Sequence, residues 1–151
     1  MLKKWLIPVI VVTLCGCVTV KTPTYIKDPS KYKKEFFASY EKTLEAVQQA
    51  LEDNGWKISG MTDPGVYEQQ PTDTTGTRKQ ILIFTEVRQT PLILLSRFMN
   101  LNVYLRTTDT GTEVEIRYSL VTSMLVRNTY SSTNDAVVNK ILNRIGEILA
   151  E

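Results

Sequence analysis

The chain has 151 residues, enough for one domain with its own core, and its 18 Lys+Arg nearly balance 16 Asp+Glu for a formal charge of +2. That balance excludes the basic stripe of a nucleic-acid binder. With no histidine and only two cysteines, histidine-based triads and the usual zinc and iron ligand sets are excluded as well.

Lys3 and Lys4 open the chain with positive charge, and the apolar run Trp5–Leu14 comes next. The run is far shorter than the about 20 residues a membrane-crossing helix needs, so it reads as a signal peptide and not as a span. It ends in Leu14-Cys15-Gly16-Cys17, which resembles the bacterial lipobox: an apolar residue and two small ones before a cysteine. The resemblance implies cleavage after Gly16, thioether lipidation of Cys17 and acylation of its new amino group. Cys15 suits the modified position less well, because bulky Leu14 would stand where a small residue belongs. The alternative is an uncleaved anchor with two incidental thiols. Several acyl chains hold a protein durably where one holds it only marginally, at about 0.8 kcal/mol per buried methylene. Val18 stands where an aspartate would favour retention at the inner membrane, so the resemblance places the protein at the outer membrane, facing the periplasm. Such processing removes Lys3 and Lys4, leaving a formally neutral chain with no free thiol. Apolar burial then has to stabilise the fold without a disulfide.

Residues 17–34, from the lipidated cysteine onward, read as a tether. Pro23, Pro29 and five scattered lysines interrupt any helical or strand period, and the coil span is roughly 20–25 Å. The lysines suit either anionic headgroups or a solvated leash. A globular domain is expected over residues 35–151. Glu35–Ala38 reads as a short strand, with a helix starting near Asp28-Pro29 as the alternative. Tyr40, Leu44, Val47 and Leu51 recur at three- and four-residue steps and predict a helix over Ser39–Asn54, with Ser39 as N-cap and Gly55 past its end.

Trp56–Ser59 and Val66–Gln70 read as short strands around the turn Asp63-Pro64-Gly65, and Pro71–Thr77 as a polar loop. Lys79–Arg88 predicts a strand buried on both faces, because Ile81-Leu82-Ile83-Phe84 is apolar throughout. Leu101, Val103 and Leu105 then alternate with polar residues, as do Val114, Ile116, Tyr118 and Leu120. Opposed residues of an antiparallel pair share a face, so an odd-numbered apolar set facing an even-numbered one requires an even loop. Asp109–Thr112 is the simplest choice. It sets Leu105 against Ile116, Val103 against Tyr118 and Arg106 against Glu115. The second strand is expected to run on to Val126. Ser132 and Asp135 suit a capping box. A closing helix then carries Val138, Ile141, Leu142, Ile145, Ile148 and Leu149 on one side.

These elements make an α+β domain, an antiparallel sheet of about five strands packed against two amphipathic helices. Their order resembles the helix-grip arrangement and the small domains of BamC-type outer-membrane-assembly lipoproteins. No phosphate loop and no nucleophile–base pair accompanies them. Glu113 and Glu115 lie two apart on one strand face, but they oppose Arg106 and read as surface ion pairs. The chain is therefore expected to be a non-enzyme with no cofactor and no metal. One stretch departs from the pattern: Pro91-Leu92-Ile93-Leu94-Leu95, leading into Arg97-Phe98-Met99. It reads either as a buried strand continuation or short helix, or as an exposed patch of Leu92, Ile93, Leu94, Leu95 and Phe98 that docks a partner or dips into the membrane, rimmed by Arg88 and Arg97. The leading functional expectation is a membrane-anchored interaction or scaffold module with an envelope protein partner. The alternative is a carrier of a lipid or other apolar ligand, in the cavity that helix-grip folds can enclose between sheet and closing helix.

Overall fold

A computed structural model describes residues 30–66, 79–92, 95–124 and 128–151. In chain order the elements are β1 (Lys33–Phe36), α1 (Tyr40–Asp53), β2 (Ile58–Thr62), a 3-10 turn (Pro64–Val66), β3 (Gln80–Thr85), β4 (Arg88–Leu92), β5 (Leu95–Thr107), β6 (Thr112–Met124), β7 (Asn128–Ser131) and α2 (Asp135–Ala150). The strands form one antiparallel sheet in the order β1-β6-β5-β3-β2, with β4 and β7 added to the far ends of β5 and β6. The fold is α+β, as the element order predicts.

Alternation of side chains decides which face the helices cover. Leu101, Val103 and Leu105 of β5 and Val114, Ile116 and Tyr118 of β6 point to one side and are buried there. Val47 and Leu51 of α1 and Val138, Ile141 and Ile145 of α2 complete the same cluster. Full burial of each such side chain contributes about 1.5–3 kcal/mol. Ser39 caps α1 by accepting a hydrogen bond from the Lys42 amide at 3.4 Å. Gly55 ends it at φ +69°, a conformation that costs a side-chain-bearing residue and not a glycine. Arg144 ties the two helices together by donating to Asp53 at 2.7 Å.

Several boundaries differ from the sequence reading. Ser30–Lys34 belong to the folded unit and not to the tether: Tyr32 is buried, and Ser30 is bonded to β6. The second strand begins at Ile58 and not at Trp56, which packs beneath the Arg88 guanidinium. Val66 closes the 3-10 turn, and the rest of the strand expected over Val66–Gln70 lies outside the described residues, as does the loop Pro71–Thr77. The strand expected over Lys79–Arg88 is two strands. Three residues, Thr85–Val87, face only Asn100 and Leu101, which makes a bulge between β3 and β4. The Thr85 hydroxyl bridges the disturbance, donating to the Leu101 carbonyl at 3.0 Å and accepting from its amide at 2.9 Å.

The hairpin keeps the expected parity and a four-residue loop, Thr108–Gly111, but is shifted from the expected register. Leu105 faces Val114, Val103 faces Ile116 and Arg106 faces Glu113. The cause is tertiary. Thr112 is fully buried and donates to the Ala38 carbonyl, while a Cβ on Gly111 would lie 2.2 Å from the Phe36 carbonyl oxygen. Only glycine lets the turn approach β1 so closely. At α2 the N-cap is Asn134 and not Ser132: its side chain accepts from the Val137 amide at 3.2 Å. Asp135 is already the first helical residue, so no capping box forms.

Candidate functional site

The long hairpin β5–β6 divides the sheet into two halves. Near its turn, β1, β3 and β2 flank it and the helices cover one face. Toward the other end, β4 and β7 flank it instead, continuing it to the pairs Leu92–Leu95 and Leu95–Met124. Register places the distal side chains in rows. Gln89, Phe98, Val121 and Tyr130 form one row on the face away from the helices. Leu92 and Leu95 end the sheet on the opposite face.

Of the five residues expected to form a contact patch, the structure brings Leu92 and Leu95 into one terminal pair. Phe98 is on the other face, three positions in. Leu92 is 47% exposed, while Leu95 and Phe98 are half-buried. Ile93 and Leu94 lie outside the described residues, as does Cys17. The strand continuation is therefore real, yet it does not bury Leu92. Tyr130, 72% exposed, joins the apolar surface of this half through Val121.

The two arginines have different surroundings. Arg97 is exposed between the Leu92–Leu95 pair and Met99. Arg88 stacks on Trp56 with its guanidinium 3.7 Å from the ring centroid and donates to the Asn54 carbonyl at 2.8 Å. Burial there pushes its pKa down. Arg88 thus pins the start of β4 to the end of α1 instead of rimming the patch.

The acids lie elsewhere. No Asp or Glu occurs from Arg88 to Thr108 or from Ile116 to Asn134, so both hairpin arms of the distal half lack carboxylates. Glu113 pairs with Arg106 at 2.7 Å and Lys33 at 3.8 Å. Glu115, 3% exposed, pairs with Arg117 at 2.7 Å and accepts from the Ser30 amide at 2.9 Å. Both carboxylates are held by cations or backbone, in keeping with ion pairs. At the start of the described chain the Tyr32 hydroxyl donates to Asp135, which also accepts from Lys31 at 3.0 Å. These bonds hold the Asp135 carboxyl below the usual aspartate range, the Tyr32 contribution being the larger.

Sequence reasoning missed β7, and with it Tyr130 and the apolar row it forms with Val121. The available signal was the absence of carboxylates over two stretches that the register makes neighbours. No protein-family model matches the chain, and no curated protein matches it in sequence. Among the described residues no cluster of three or more His, Cys, Asp or Glu is placed to hold a metal ion, and no helix is long and apolar enough to cross a membrane.

Proposed function

We propose that this protein is a lipid-anchored module of the bacterial cell envelope, held at the outer membrane through Cys17, with a non-enzymatic domain that acts through contact. The distal half of the sheet is its contact surface. The observation that supports this reading is the pair Leu92–Leu95, apolar and incompletely buried at the end of a sheet whose other half packs under helices. An apolar pair left partly exposed where a sheet ends suits a surface that a partner covers. The space between the sheet and α2 is occupied by the side chains of Val103, Ile116, Ile141 and Ile145, all fully buried in one cluster, which favours the contact reading over a ligand carrier.

Mass spectrometry of the protein isolated from its own membranes tests the anchor. The expected N-terminal peptide begins at Cys17 and carries a diacylglyceryl thioether and an amide-linked acyl chain. A free thiol there, or a chain still beginning at Met1, removes it. A photocrosslinking side chain at Leu95 tests the surface: it is expected to capture envelope components that the same probe at Asp109, in the hairpin turn, does not.

A further inference from the structure

We propose that the covering of the distal sheet end is the lipid bilayer itself: Leu92 and Leu95 enter the headgroup–acyl boundary. The proposal rests on the anchored reading above and names the contact that this surface makes. Three independent features of the chain point to it.

The first is apolarity at a tip. The Leu92–Leu95 pair ends the sheet, and Phe98, Val121 and Tyr130 form a row a few residues further in. Aromatic side chains with a polar end, such as exposed Tyr130, suit the headgroup level, and aliphatic ones suit the depth below it.

The second is charge. Both distal arms carry arginine and no carboxylate, with Arg97 exposed one row from the tip. The carboxylates Glu35, Asp63, Asp109 and Glu113 lie instead at the helix-covered half and its turn, where Lys33, Lys79 and Arg106 stand as well. A bilayer with anionic headgroups attracts the first arrangement, a cation with no carboxylate along its arm.

The third is where the chain from Cys17 arrives. β1 runs antiparallel to β6, and Tyr32 lies level with Ile116, so the chain joins β6 from the side that leads toward Met124. From Ile116 to Met124 is about 26 Å at the rise of a strand. The residues from Cys17 to Ser30 can span at most about 45 Å. A lipid on Cys17 can therefore sit in the same bilayer that the sheet end touches.

The test uses the lipidated protein reconstituted in vesicles of phosphatidylethanolamine and phosphatidylglycerol. Cys15 leaves with the leader and Cys17 is blocked, so an introduced cysteine is the only thiol available for an environment-sensitive fluorophore. Leu92→Cys, Tyr130→Cys and Asp109→Cys place it at the sheet end, further in, and at the opposite turn. The label at position 92 is expected to be quenched by lipid-borne nitroxide at least about threefold more strongly than that at position 109, with position 130 between them, and to resist aqueous iodide. Iodide quenching at position 92 equal to that at position 109 overturns the proposal. So does a label at 92 shielded from both quenchers, which would show a second copy of the chain covering the tip. Tyr130→Cys keeps the test readable if the Leu92 variant fails to fold, since Tyr130 is largely exposed. The mass of the N-terminal peptide reads the lipid on Cys17 separately, so loss of the anchor and loss of the sheet-end contact are distinct results.

Discussion

Two single residues fix how the hairpin meets its neighbours. Gly111 sits where any Cβ would collide with the Phe36 carbonyl, and the clash is with backbone, which cannot swing aside. Gly111→Ala is therefore expected to destabilise the domain by about 2–4 kcal/mol in urea unfolding, whereas Gly60→Ala, with nothing within 4 Å of its Cβ position, should stay within about 0.5 kcal/mol. Equal effects would show that the turn does not need its close approach to β1. Thr85 presents the opposite case, a polar group buried in order to repair a bulge. Thr85→Val keeps the shape but leaves the Leu101 amide and carbonyl without the hydroxyl that serves both, at a cost of about 1–3 kcal/mol. Neither role was legible in the sequence. Parity along β5 and β6 gave the faces and an even loop, because alternation is local. It could not place the loop, because Thr112 and Gly111 answer to β1, some seventy residues away.

At the scale of elements, β1 is held mainly by polar groups: only Phe36 of its four residues is buried. The Thr108 and Thr110 hydroxyls donate to Glu35, and Tyr32 and Lys31 donate to Asp135, so both carboxyls lie below their ordinary range, with Thr108 and Tyr32 the leading causes. A carboxyl lowered in the folded state binds fewer protons there than in the unfolded chain. Its stabilisation is present above the unfolded pKa and is lost as pH falls through the folded one. Protection factors of the β1 amides are thus expected to fall below about pH 4, ahead of those at Val103 or Ile141, and Asp135→Asn should shrink that acid step. Uniform protection from pH 7 to pH 3 would count against polar pinning. The helices, by contrast, were readable from their stripes, since Val47 and Leu51, like Ile141 and Ile145, recur at helical spacing and are fully buried. The stretch Lys79–Arg88 reads as one continuous strand in the sequence because the bulge is set by its pairing with β5, which its own residues do not announce.

Across the whole molecule, one hairpin serves two environments. Its turn half lies under α1 and α2, where Leu101, Leu105 and Ile116 are fully buried; its distal half has β4 and β7 beside it and only partial burial at Leu95, Phe98 and Val121. The stabilising burial is therefore concentrated at one end, and the other end stays partly exposed. Leu101→Ala, which opens a cavity in the shared core, is expected to cost about 2–5 kcal/mol. Leu92→Ser combined with Leu95→Ser removes apolar area that the folded monomer only partly buries, so in detergent its melting temperature should drop by no more than about 3 °C. In vesicles the two proteins should part further. On the proposed bilayer contact, binding at the sheet end would add stability to the wild-type fold by mass action, so its melting temperature should rise on reconstitution while that of the double serine variant stays put. A fall in detergent as large as that of Leu101→Ala would instead make Leu92 and Leu95 part of the core, and the distal half a structural extension with no surface to offer.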